Sequence, residues 1–400
     1  MVSKSYIDAF DPKGISNHVC LTCGECLQKC PVMKMGKEES ISEMARLLNG
    51  EEPKRVLKEC TFCFDCNNYC PHDLKPYTLI MERMKEQHRA NGKAAPPMNV
   101  QYFFSNKHDK NWVSDVYNVE TAEEKKILDK WTVPPAKSKE VLMVGCVGRM
   151  IPYGIEHSKV LAELPKYGPR DLCCGEIPHR FGDYDWFAKI VENSVGLFEK
   201  LDTERLITYC GSCTNYFGNI WPNYHGVKLP FEVITIWEWL WDKYQKGEIK
   251  VQKEIPGKIA ITDSCYCSEL GDKFFEAVRG LHKAVGMDVV ELKNNRGDNL
   301  SCGFASLVRN NYGPDEIQKT TRTKIDQFKE SGATDLSCYC PGCFMTLRAS
   351  FKESGTFERL HYGLEELLCA FGDDPYPYSL EDRLTTMESE MMKTAKEQGW

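Results

Sequence analysis

Cys146, Cys173, Cys174, Cys210 and Cys213 are the residues of this chain whose type and spacing most clearly imply chemistry. A β-like run, EVLMVGC, ends on Cys146, a Cys-Cys-Gly triplet supplies the adjacent pair, and Cys-Gly-Ser-Cys supplies the last two. Thiols that converge in this way bind metal. Neighbouring residues on an extended chain point to opposite sides, so both members of the pair reach one site only where the backbone turns sharply. Gly175 follows the pair and permits such a turn. A structural zinc takes four ligands, so five thiols fit a cluster of several irons better than they fit zinc or a disulfide framework.

Two further runs lie near the N-terminus. Cys20, Cys23, Cys26 and Cys30 precede Pro31 as C-x2-C-x2-C-x3-C-P, and Cys60, Cys63, Cys66 and Cys70 precede Pro71 with the same spacing. This is the bacterial two-cluster ferredoxin signature, in which the first three cysteines of a run hold one cubane cluster and the fourth crosses to the other. Cys20, Cys23, Cys26 and Cys70 are then expected on one 4Fe-4S cluster, and Cys60, Cys63, Cys66 and Cys30 on the second. Zinc knuckles fit less well, since zinc sites pair two Cys-x-x-Cys elements across a long gap. His18, His72 and His88 are read as surface or packing residues, because cysteines already complete both sites.

A second block echoes the first. Cys265, Cys302, Cys340 and Cys343 match four of its five thiols, with Ser301 in the place of the first cysteine of the pair. A hydroxyl is a far poorer iron ligand than a thiolate. Cys267 and Cys338 stand nearby, and if Cys265 and Cys267, or Cys338 and Cys340, share a strand face, a replacement ligand is at hand. An iron–sulfur cluster is the expected occupant of this block, with zinc or an empty structural site as the alternatives. Cys369 stands apart from every cluster and is expected to be a buried apolar residue.

Composition excludes several classes of function. The net charge of −7 comes from well-mixed acidic and basic residues, which argues against a nucleic-acid surface or a polybasic membrane patch. No apolar run approaches the length of a transmembrane segment, and the N-terminus lacks the apolar core of a secretory signal. Twenty cysteines without such a signal point to a reducing cytoplasm.

The elements that must position these thiols are legible in outline. ESISEMARLLNG reads as a helix opened by a Ser40–Glu43 capping box and closed at Asn49-Gly50, Pro53 can open the next, and a further helix runs from Pro76 to Asn91-Gly92. Residues 96–139 read as a connector packed over the following domain, with Tyr102, Phe103, Phe104 and Trp112 as packing residues. Beyond it EVLMVGC corresponds to KIAITDSC, DLCCG to LSCGF, RLITYCGSC to TDLSCYCPGC, and FEVITIWEWLWDKY to FERLHYGLEELLCAF. Strand candidates alternate with helical stretches in each half, and the cysteines fall at the carboxyl ends of strands, where open α/β sheets place their sites. The expected architecture is α+β and multidomain: a helical two-cluster ferredoxin domain (1–95), a linker (96–139), two repeated small α/β CCG domains (140–254 and 255–374) and a polar helical tail (375–400).

Taken together, the CCG blocks with their trailing Cys-x-x-Cys and the helical dicluster region resemble heterodisulfide reductase, in the form that fuses the cluster-relay and catalytic subunits. The resemblance covers nearly the whole chain and extends to subunits of sulfite-reduction membrane complexes, glycolate and lactate oxidases, glycerol-3-phosphate dehydrogenase and benzoyl-CoA reductase complexes. It implies a noncubane four-iron cluster on Cys146, Cys173, Cys174, Cys210 and Cys213 that binds a substrate sulfur and splits a disulfide. The gap from Cys146 to Cys173 is shorter than the family's usual one. The expected function is an iron–sulfur oxidoreductase subunit, fed by a flavoprotein, hydrogenase or membrane cytochrome and acting on a small thiol or disulfide. The expected location is cytoplasmic, with a partner subunit able to hold the chain at the cytoplasmic face of a membrane. Two other classes compete: an electron-transfer subunit of a flavin-dependent or quinone-linked complex with no substrate of its own, and a zinc-scaffold interaction protein.

Overall fold

A computed structural model of the protein describes residues 10–11, 20–309, 314–377 and 379–399, the side chains at 314–318 and 320 excepted. His18 lies outside the described residues. The N-terminal cysteine runs sit among helices, and no strand occurs among the described residues before Ser138. Helix α1 (Lys37–Asn49) buries Met44 and Leu47 and stops at Gly50, whose φ of +72° places it in the left-handed region. Its start departs from the expected capping box. The helix begins at Lys37, so Ser40 lies inside it. Glu43 instead accepts hydrogen bonds from the backbone N–H groups of Lys54, Arg55 and Val56 at 2.8, 2.9 and 3.0 Å. The carboxylate thus serves the start of the next helix, Val56–Glu59. Helix α2 (Pro76–Ala90) runs as its sequence predicts.

The connector does more than bridge. Helix α3 (Trp112–Val119) is capped by Asn111, which accepts from the N–H groups of Val113 and Ser114, and helix α4 (Ala122–Lys130) by a Thr121–Glu124 capping box. Val116, Ile127, Leu128 and Trp131 from this stretch belong to the core beneath the following sheet.

Strands β1 (Ser138–Met143), β2 (Lys166–Tyr167), β3 (Thr203–Thr208) and β4 (Glu232–Thr235) form a parallel sheet in the order β2-β1-β3-β4. Both faces are covered, as parallel sheets require. Val141, Met143 and Leu206 pack on helix α5 (Tyr184–Phe198) through Phe187, Val191 and Phe198. Leu142, Val144 and Ile207 point the other way, toward Trp237 and Leu240 of helix α6 (Ile236–Gln245). Strands β5 (Gly257–Thr262), β6 (Met287–Val290), β7 (Asp335–Cys338) and β8 (Leu360–Tyr362) repeat the arrangement in the order β6-β5-β7-β8.

The two sheets share one core because α6 packs on helix α7 (Asp272–Ala284) of the second half. Gly280 permits the approach, since a Cβ there would lie 2.6 Å from the Trp241 ring. Helix α8 (Pro341–Glu353) follows β7. The C-terminal helix α9 (Leu380–Gln398) is no free tail. It buries Leu380, Leu384 and Met387, receives hydrogen bonds from Arg348 on Glu381 at 2.6 Å, and donates from Thr394 to Asp115 of α3 at 2.9 Å. Cys369 is half-buried rather than buried, with its thiol 3.9 Å from the Asp374 carbonyl. Neither expected thiol pair shares a strand face: Cys265 and Cys267 lie on a short 3-10 turn, and Cys340 stands beyond the end of β7.

Candidate redox site

Each cysteine block is assembled at the same point of its sheet. In the order β2-β1-β3-β4 the chain leaves β1 and β3 toward opposite edges, so a crevice opens beyond their carboxyl ends. Cys146 follows β1, and Cys210 and Cys213 follow β3; in the second sheet Cys265 follows β5, and Cys340 and Cys343 follow β7. The pair Cys173-Cys174 enters after β2 on the expected turn, with Gly175 at φ +76°. A side chain at Gly175 would also strike Phe187, 2.5 Å from its Cβ. The turn brings the Gly175 N–H to 3.4 Å from Cys173 Sγ. Arg149, buried behind it, donates to the carbonyls of Gly168 at 3.3 Å and Leu172 at 3.2 Å and so fixes the loop that carries the pair.

The five thiols of the first block meet. Side-chain hydrogen bonds link Cys173 to Cys174, Cys174 to Cys213, and Cys213 to Cys210, while Cys146 senses the charge of Cys173. Burial pushes the Cys146 thiol up to about 11, and the hydrogen bond it shares with Cys174, together with burial, holds Cys173 well above its ordinary value. Buried thiols of this kind become thiolates when a cation compensates them, which is what bound iron does. No three His, Cys, Asp or Glu side chains among the described residues are drawn together as one metal ion requires. Five thiols on one cavity exceed the four ligands of a structural zinc, so the donor set fits a cluster of several irons better.

The second block reproduces this geometry with one atom changed. Gly303, at φ +90°, directs its N–H to Ser301 Oγ at 3.1 Å, as Gly175 does to Cys173. Cys343 shares side-chain hydrogen bonds with Cys302 and Cys340, and its bond is the main reason the Cys302 thiol is lowered from its ordinary value. Lys324, buried among Cys343, Cys302, Cys265 and Cys338, donates to the Asp263 carbonyl at 3.0 Å. Cys267 faces the first block: a Cβ on Gly211, inside the Cys-Gly-Ser-Cys turn, would lie 2.5 Å from its sulfur.

In the N-terminal region Cys26 senses Cys70, Cys20 and Cys23, and Cys30 is felt by Cys60, Cys63 and Cys66, while Cys66 also senses Cys26, so the two runs lie close together. Cys63 also senses Cys265 of the second block, and Cys210 of the first block senses Cys340 and Cys267. His72 is exposed, and His88 is buried with Nε2 2.7 Å from the Val308 carbonyl, a packing role as expected.

Arg180 stands where the three parts of the chain join. Its guanidinium lies 3.2 Å from the Tyr266 ring centroid and 4.3 Å from that of Phe64, donates to the Phe62 carbonyl at 3.0 Å, and approaches Cys265 Sγ at 3.8 Å. Its Nε is 3.1 Å from Glu176. Burial pushes the Glu176 carboxyl up to about 7 despite that neighbour.

The first block's five thiols all line a single cavity, and there they are joined by Cys340. Its walls include Phe103, Trp112, Met150, Phe304, Met345 and Leu384. Phe103 bridges the connector and the second half, with ring centroids 5.5 Å from Trp112 and 5.3 Å from Phe304. Phe103 and Trp112 are thus site residues as well as packing residues. Sequence reasoning missed this, along with Leu384 of the supposed tail and Arg180, because each reaches the site only through the tertiary fold. The one local signal was the position of Arg180 in the turn of helix that begins directly after the CCG triplet.

These features define an iron–sulfur protein that joins a dicluster ferredoxin region to two cysteine-rich units. The 4Fe-4S dicluster domain family matches residues 19–75, and the cysteine-rich domain family matches residues 157–218 and 259–348. With these two domains the chain is similar, at low identity, to heterodisulfide reductase subunits and related iron–sulfur proteins. It is 24% identical over 365 residues to a subunit of the dihydromethanophenazine:CoB–CoM heterodisulfide reductase of Methanosarcina barkeri, covering 81% of this chain and 86% of that one. A subunit of the fumarate reductase (CoM/CoB) of Methanothermobacter marburgensis is 23% identical over 377 residues, 89% of this chain and 72% of the relative. The EtfAB:quinone oxidoreductase of Syntrophomonas wolfei is 19% identical over 397 residues, 83% of this chain and 55% of the relative. The chain is accordingly an iron–sulfur electron-transfer subunit of the oxidoreductase class. No described helix is long and apolar enough to cross a membrane.

Proposed function

We propose that this subunit reduces, or reversibly forms, an organic disulfide at the first CCG block. Cys20, Cys23, Cys26 and Cys70 hold one cubane cluster and Cys30, Cys60, Cys63 and Cys66 the other. Cys265, Cys302, Cys340 and Cys343 would hold a third iron–sulfur cluster, whose chemistry would be one-electron relay between the ferredoxin region and the first block. The proposed division of labour follows the units 1–95, 140–254 and 255–374, with 96–139 and 375–400 covering the junction. Cys146, Cys173, Cys174, Cys210 and Cys213 would hold a noncubane four-iron cluster, which would supply an open iron position for sulfur and one-electron chemistry. The protein's own residues orient that site: Arg149 braces the loop of the pair, Gly175 makes its turn, and the apolar walls exclude water. In the net reaction R–S–S–R′ gains two electrons and two protons, the S–S bond breaks, and RSH and R′SH form. The electrons come from a reduced flavoprotein, hydrogenase or membrane cytochrome partner, and the protons from water.

The observation that carries this reading is the shared cavity, in which the first block's thiols meet a space with apolar walls. Titrating the reduced holoprotein with a mixed organic disulfide should change a paramagnetic signal that is missing in Cys174→Ser. A signal indifferent to every disulfide would favour electron relay alone, the reading to which the relative named as a quinone oxidoreductase lends support.

A further inference from the structure

We infer that the sulfur compound entering this cavity is neutral and apolar around its sulfur, an alkyl or aryl disulfide in place of an anionic one. The inference rests on the disulfide reading of the first block and narrows it. Apart from the thiols and Tyr266, the cavity's only ionisable wall residue among those described is Glu176, and no described Lys, Arg or His lines it. A sulfonate, phosphate or carboxylate brought there loses its hydration and gains no cation to offset the loss.

Neither of the two arginines nearest the thiols, Arg149 and Arg180, lines the cavity. Arg149 spends its guanidinium on the carbonyls of Gly168, Pro169 and Leu172. Arg180 is enclosed between the rings of Phe64 and Tyr266 and bonded to the Phe62 carbonyl, on the ferredoxin side of Glu176. What remains for a ligand is aromatic and thioether surface from Phe103, Trp112, Phe304, Met150 and Met345. Such surface favours alkyl groups, rings and divalent sulfur through dispersion and sulfur–aromatic contact. Trp112 and Leu384 come from the connector and the C-terminal helix, outside both cysteine-rich repeats. The elements that select the substrate are therefore separate from those that hold the iron.

Two disulfides with the same two-carbon skeleton isolate the charge: diethyl disulfide and the disulfide of 2-mercaptoethanesulfonate. Equilibrium dialysis against oxidised holoprotein, which has no electrons to give, reads binding without turnover. Diethyl disulfide should bind at least about tenfold more tightly. Met345→Lys and Trp112→Lys, both at half-buried wall positions, each place a cation in the lining and should reduce or reverse that preference. Equal or tighter binding of the sulfonate by the unaltered protein overturns the inference while leaving the first block as a disulfide site. Unchanged preference in both folded lysine variants overturns it too, because the ligand then sits elsewhere. If neither compound binds and neither alters the reduced protein's paramagnetic signal, the disulfide reading falls and the inference with it.

Discussion

Ser301 is the residue at which the two halves of the cysteine-rich region diverge most sharply in chemistry and least in shape. Its hydroxyl accepts from Gly303 N–H just as the Cys173 thiol accepts from Gly175 N–H, so the backbone turn that presents a ligand has survived the loss of that ligand. Cys267 does not take over the role, since its sulfur is turned to Gly211 of the first block. Ser301→Cys should therefore complete a five-thiol set without refolding the loop. The expected result is a second paramagnetic signal of the first block's type, with thermal stability changed little. A spectrum identical to that of the unaltered protein would show that position 301 does not face the cluster.

At the scale of elements, the covering of the site depends on how α9 docks on the connector helices. Arg383 lies 3.3 Å from Glu120 and also bonds Glu124, so one buried cation serves two carboxyl groups. Burial, followed by the hydrogen bond with Glu124, pushes the Glu120 carboxyl from 4.5 up to about 9. Between those values the folded protein keeps a proton that the unfolded chain has lost, so this site's contribution to stability declines as pH rises through that range. Glu120→Gln fixes the neutral form and should raise the melting temperature by a few degrees at pH 8, with little change at pH 5. An equal shift at both pH values would assign the effect to packing instead. The wider consequence is that α9, through Leu384, and α3, through Trp112, hold the cavity's walls by contacts that do not involve iron.

For the whole molecule, Arg180 touches both the Phe62 carbonyl and Cys265, and Cys340 lines the cavity of the first block, so the second block adjoins both of the other parts, as the proposed relay requires. Electron transfer between such centres calls for a filled second block. Anaerobically purified protein should hold about sixteen irons per chain, for four four-iron clusters. About twelve irons accompanied by one zinc would make the second half a scaffold for the first. Separate thiol groups also imply separate clusters. Cys23→Ala should remove one N-terminal signal and slow electron entry while the signal of the first block persists. Loss of both from a folded protein would show that the centres do not assemble independently.

The chain's own sequence determined the repeat and most helices and strands, because each rests on local periodicity. The dicluster runs, the CCG turns and the strand ends that precede them all follow from spacing of that kind. Local reasoning failed where a side chain served a distant partner: Glu43 resembled a helix cap for Ser40, yet it satisfies the backbone at Lys54, Arg55 and Val56. The cavity over the first block's thiols was decided by tertiary structure alone. Phe103, Trp112, Phe304 and Leu384 meet there from separate stretches of chain, and Arg180 joins three units across Phe62, Glu176 and Cys265. Burying apolar faces of helices that are remote in sequence brought them together, and no spacing along the chain records that event.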